Sequence, residues 1–134
     1  MTKKLLLLSL TILLGCQIIA QNNSKENSKF YINIFINVDK DVFVESEKTE
    51  FTKITSEIKG IINNHPFKVD EQIIYRIFAD ENLKLGYIID VNNEMNKGFN
   101  ENIQTQRYLL NTVELNIDGN NWFEAEKIKE LKRS

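Results

Sequence analysis

Five carboxylates, Asp70, Glu71, Asp80, Glu81 and Asp90, fall near expected strand ends or a helix start, and they are the groups best placed for acid–base chemistry. Such pairs act as acid and base when burial or a neighbouring charge drives their pKa values apart. Asp80 and Glu81 also suit a simpler role, as turn and first-turn residues whose negative charge favours a helix N-terminus. The sequence favours that role, and a small hydrolase or glycan-binding protein using Asp80, Glu81 or Asp90 stands as the alternative. His65 is the sole histidine, so no His-rich metal site and no Ser-His-Asp set with a spare base assembles readily. Beside Pro66 at an expected helix end, it suits a cation or donor near the last helical carbonyls.

Asp39-Lys40-Asp41 and Asp118-Gly119-Asn120-Asn121 look like fragments of calcium loops but lack the full alternating-aspartate spacing and the distal glutamate. They are expected to be turns. The five glycines form no phosphate-cradling loop. Tyr31, Tyr75, Tyr87, Tyr108 and Trp122 are scattered over several elements, which suits core and rim better than a stacking platform. No catalytic residue, metal ligand or cofactor is expected.

The elements that hold these residues follow from hydrophobic period. Residues 30–38 (FYINIFINV) place Ile32, Ile34, Ile36 and Val38 on one face and Asn33 and Asn37 on the other, a strand pattern. The Asp39-Lys40-Asp41 turn and Val42-Phe43-Val44 complete an expected hairpin. From about Thr49 the period becomes helical, with Ile54, Ile58, Ile61 and Ile62 on one stripe, Thr49 or Thr52 as cap, and a stop before Pro66. The near-continuous apolar run of residues 73–79 (IIYRIFA) predicts a central strand. A second helix is expected over residues 85–97, with Ile88, Val91 and Met95 inward, Ile89 flanking them, and Gly98 as the left-handed residue that ends it. Residues 100–106 read as a polar connection and 107–117 as a strand with Leu110, Val113, Leu115 and Ile117 apolar. A short terminal helix over residues 122–132 is expected to pack on the sheet edge. The order is β-β-α-β-α-β, a small two-layer α+β sandwich with a mixed sheet, two helices on one face and a short C-terminal helix.

The N-terminus carries an address. Thr2-Lys3-Lys4 precedes the apolar run of residues 5–20 (LLLLSLTILLGCQIIA), which predicts an export leader over 1–20. A membrane span needs about 20 apolar residues, and this run is shorter and contains Gln17. Leu13-Leu14-Gly15-Cys16 resembles a lipobox, making Cys16 a lipidation candidate, while Ala20-Gln21 resembles an ordinary signal-peptidase site. Cleavage before Cys16, cleavage before Gln21 and retention of the leader all stay open. Residues 21–29 (QNNSKENSK) are expected to form a flexible spacer, and 30–134 a single domain. Without a thiol pair, its stability rests on the core rather than on disulfides. Loss of Lys3 and Lys4 with the leader leaves 15 basic against 19 acidic residues, a net −4 that disfavours nucleic-acid partners. Membrane contact is expected only through a lipid at Cys16 or an uncleaved leader.

The stretch Ala79-Asp80-Glu81-Asn82, then Leu85-Gly86-Tyr87-Ile88-Ile89-Asp90-Val91, then Lys97-Gly98-Phe99 resembles the hallmark segment of the ExbD/TolR family of biopolymer-transport proteins. The resemblance covers about residues 31–115. It implies a periplasmic domain that dimerises within a proton-driven envelope complex, with an ExbB/TolQ-like partner and a TonB- or TolA-like client. Family members carry a membrane aspartate that handles protons. Here no acidic residue lies between Leu5 and Ala20, so the proton-coupling role does not carry over. What the resemblance implies is an exported, non-enzymatic interaction module of the cell envelope, binding another protein through a sheet edge or associating with itself. A plain structural lipoprotein is a further alternative.

Overall fold

The computed structural model describes residues 27–99 and 103–122. The leader with Cys16, most of the spacer and the terminal helix expected beyond Trp122 lie outside the described residues. Five strands and two helices follow in the order β1 (Lys29–Ile36), β2 (Val42–Val44), β3 (Glu47–Thr49), α1 (Ile54–Asn64), β4 (Gln72–Asp80), α2 (Leu85–Asn96) and β5 (Gln104–Leu110). The sheet order is β3-β2-β1-β4-β5. The first three strands form an antiparallel meander, whereas β4 runs parallel to both β1 and β5. Parallel neighbours need crossovers, and the two helices occur in those crossovers. The fold is α+β with a mixed sheet, as the sequence pattern predicts.

Both helices bury their stripes on one face of the sheet. Ile54, Ile58 and Ile62 of α1 and Ile88, Val91 and Met95 of α2 meet Ile32, Ile34 and Ile36 of β1 and Tyr75, Ile77 and Ala79 of β4. Each isoleucine, valine or methionine of this set removed from water contributes about 1.5–3 kcal/mol, so the set is the main source of stability. Burial pushes the Tyr75 phenol up to about 12, and its hydroxyl donates to the Met95 carbonyl at 3.2 Å.

The opposite face is also covered. Phe35 and Phe78 pack with Leu110, Ile117 and Trp122, and the Trp122 ring centroid lies 5.9 Å from that of Phe35 and 5.6 Å from that of Phe78. Trp122 therefore sits over the sheet rather than at its rim. The segment bringing it there turns at Asp118, whose Oδ1 accepts from the Asn120 amide at 2.7 Å. It passes so close to Phe43 that a Cβ on Gly119 would fall 2.0 Å from the ring.

Several expectations require correction. Glu47–Thr49 is a strand, invisible in the sequence because its charged, exposed residues carry no apolar alternation. Neither Thr49 nor Thr52 caps the first helix, which is entered through a 3-10 turn at Phe51–Lys53 without a side-chain cap. The last strand begins and ends earlier than its composition suggests. Polar Gln104, Thr105 and Gln106 become strand because the open side of β4 supplies backbone partners. Past Leu110 the Asn111 side chain accepts from the Glu114 amide at 3.0 Å and turns the chain, leaving Val113 80% exposed. Val38 lies past the end of β1 and is exposed.

Gly98 is no left-handed cap, since no glycine among the described residues has positive φ. Its requirement is space: a Cβ there would come within 2.6 Å of the Ile58 side chain. A glycine at this point lets the end of α2 close onto α1. Gly86 has open space around its Cβ direction and no such constraint.

Candidate interaction surface

Of the carboxylates singled out for chemistry, Asp70 and Glu71 border one cleft, and Asp80, Glu81 and Asp90 lie apart from it. Asp80, the last residue of β4, is fully buried, while Glu81 and Asp90 are exposed. The Asp80 carboxylate accepts from the Thr112 hydroxyl and from the Asn82 amide, the latter at 2.8 Å. Burial alone would raise its pKa, but these hydrogen bonds hold it below the usual carboxylate value. Next to it the Glu81 amide donates to the Leu110 carbonyl at 2.8 Å. Asp80 thus ties the end of β5 and the turn after it to the end of β4. Asp80 also opens the expected polar turn, since its carbonyl accepts from the Leu83 amide at 3.1 Å, but neither Asp80 nor Glu81 lies in the first turn of α2, which starts at Leu85.

His65 also differs from expectation. Its backbone amide donates to the Ile62 carbonyl at 3.2 Å, ending α1, but its ring turns away from the helix. The ring stacks on Phe30 with centroids 3.6 Å apart and meets Glu71 through Nε2 at 2.9 Å. That contact, with the Lys68 amide, holds the Glu71 carboxyl below its usual value. Glu71 borders a cleft of about 650 Å³ together with Phe67, Lys68, Asp70, Phe99 and Ile103. None of Asp80, Glu81 and Asp90 lines it. Among the described residues no group of three or more His, Cys, Asp or Glu is placed to hold a metal ion, and no helix is long and apolar enough to cross a membrane.

The second face of the sheet carries a polar network that periodicity does not reveal. The Asn33 side chain accepts from Arg76 Nε at 2.7 Å, and the Asn33 amide donates to the Glu45 carboxylate at 2.7 Å. The Arg76 guanidinium lies 4.2 Å from the Tyr31 ring centroid. These contacts satisfy a buried asparagine and leave it no evident chemical task.

The outer edge of β5 is different in kind. Among the described residues no strand pairs with it, so its seven residues present one row of backbone donors and acceptors outward. Residues of alternate parity point to opposite faces. On the helix side Thr105 donates to the Asn92 side chain at 2.9 Å, which places Arg107 and Leu109 beside α2 as well. A niche there is lined by Ile77, Ala79, Leu85, Ile88, Arg107, Tyr108 and Leu109. Leu85, Ile89 and Leu109 are 64%, 41% and 39% exposed, a share of apolar surface that packing among the described residues leaves uncovered.

Arg107, Leu109, Leu85 and Ile89 were not legible as a site. Leu85 and Ile89 are four residues apart on α2, off the buried stripe of Ile88, Val91 and Met95, and that second stripe is the one signal the sequence holds. Arg107 gives no sign of its position until β5 is known to be the edge. Comparison with protein-family models and with curated proteins finds no match for this chain.

Proposed function

We propose that this chain is an exported cell-envelope protein whose domain is a non-catalytic interaction module of the ExbD/TolR-like kind, and that it takes an extended protein segment along β5. The observation that carries the reading is the unpaired seven-residue edge of β5 set beside exposed Leu85, Ile89 and Leu109. Strand addition draws affinity from main-chain hydrogen bonds and specificity from side-chain niches next to the edge, and both are present here. The strand end, turn and helix over residues 79–99 support the resemblance, and the apolar leader supports export. Because residues 5–20 hold no acidic residue, the reading takes over the family's binding role and not its proton coupling.

The test is site-specific photo-crosslinking of the full chain in a bacterial host. A crosslinking side chain at Leu109 is expected to trap a discrete protein adduct in the envelope fraction, and one at Lys48 on the opposite edge to trap none. Equal labelling from both positions, or none from Leu109 with the chain remaining in the cytoplasm, would refute the reading. Mass spectrometry of the mature N-terminus distinguishes acylated Cys16, free Gln21 and a retained leader.

A further inference from the structure

We infer that the segment received by β5 carries a carboxylate opposite Arg107, so the partner is an acidic extended strand of another protein rather than a second copy of this chain. The inference rests on the reading of β5 as the docking edge and specifies the partner's chemistry.

Arg107 is the middle residue of β5. Among the described residues its buried Nε has no hydrogen-bond partner and no carboxylate forms an ion pair with it. Buried donors are ordinarily satisfied, and an arginine in that state beside apolar Ile77, Ile88 and Leu109 is primed for a planar acceptor. The apolar surroundings lower the local dielectric and strengthen attraction for an incoming carboxylate.

The chain's own edge does not meet that need. Gln104–Leu110 (QTQRYLL) contains no acidic residue. An antiparallel pairing of two β5 strands over their full length would have its two-fold axis at Arg107 and set two guanidinium groups directly opposite each other, an unfavourable like-charge pair. A foreign strand with Asp or Glu at that point gains both the ladder and the charge pair. Apolar residues two positions along the same face would meet Leu109, with Leu85 and Ile89 beyond it.

The experiment pans the full chain against a displayed library of random peptides and sequences the bound pool. Wild-type protein is expected to enrich peptides with one Asp or Glu between apolar residues at alternate positions. Arg107→Gln, which keeps much of the stem, should lose the acidic preference and weaken the selected peptides about ten-fold. Arg107→Glu should enrich Lys or Arg in its place. Binding of the selected peptides should also weaken as salt rises, because the pair is partly exposed.

If all three proteins select the same compositions while Leu109→Lys abolishes binding, the docking edge stands and the acidic partner is refuted. A dimer of the full chain that Leu109→Lys dissociates likewise refutes it and leaves the edge in use. If no peptide is enriched over Leu109→Lys, both readings fall. Should Arg107→Glu fail to fold, the loss of acidic preference in Arg107→Gln still decides the question.

Discussion

The two edges of the sheet are built on opposite plans. β3 is three residues long, carries Glu47 and Lys48, and is fastened by a Lys48–Asp41 ion pair at 2.9 Å. Short, charged edges resist pairing with other strands. β5 is seven residues long and has exposed apolar neighbours on the helix beside it. One edge is closed by its composition and the other is left able to extend the sheet. Both edges are exposed, so exposure alone does not distinguish them. The proposed reading of β5 rests instead on length of free ladder, adjacent apolar area and an unsatisfied arginine taken together.

The difference between the two edges depends most on the Asp80 contacts that end β5. Asp80→Ala leaves the Thr112 hydroxyl and the Asn82 amide without their acceptor, and is expected to cost about 3 kcal/mol of unfolding free energy in a denaturant titration. Amide exchange at Leu110 should rise with it, while β2 and β3 keep their protection.

Gly98→Ala should follow in size. Its added methyl meets Ile58, and relief of that contact must push the end of α2 away from α1, at about 2 kcal/mol. A thermal melt checks the loss, and a wild-type midpoint would show that Ile58 yields easily.

The pH dependence gives a third measure. The Asp80 carboxyl is held below its ordinary value of 3.8, so the unfolded chain takes up the proton first as pH falls. Its contribution is therefore complete above that value and is lost as pH drops through the depressed native pKa. Asp80→Asn should flatten that acid limb, as read from unfolding free energies across the carboxylate range.

Smaller effects separate function from stability. Leu85→Glu combined with Leu109→Lys alters only partly exposed positions, so stability should change by about 0.5 kcal/mol or less while partner crosslinking or peptide binding falls about ten-fold or more. Lys48→Ala on the other edge should change stability by no more than about 0.5 kcal/mol and leave binding intact, because its ion pair is exposed.

The first strand, both helical stripes and the α+β class were legible because each rests on local period. The alternation at Ile32, Ile34 and Ile36 and the stripe of Ile88, Val91 and Met95 need only one buried face apiece. β3 was hidden because its pairing partner, not its composition, makes it a strand. Asp80 is legible as a turn residue, whereas its tie to Thr112 is not, because that hydroxyl comes from far along the chain. Gly98 suggested a helix cap by position, whereas its use depends on how closely two helices approach.

The α+β class, the first strand and the two helical stripes that cover the core can be read from local side-chain pattern alone. The tertiary structure adds which strand is the open edge, that Asp80 ties the ends of β4 and β5 together, and that among the described residues Arg107 stands there without an acidic partner. Those properties depend on strand order and on contacts between distant residues, and hydrophobic period carries no information about either.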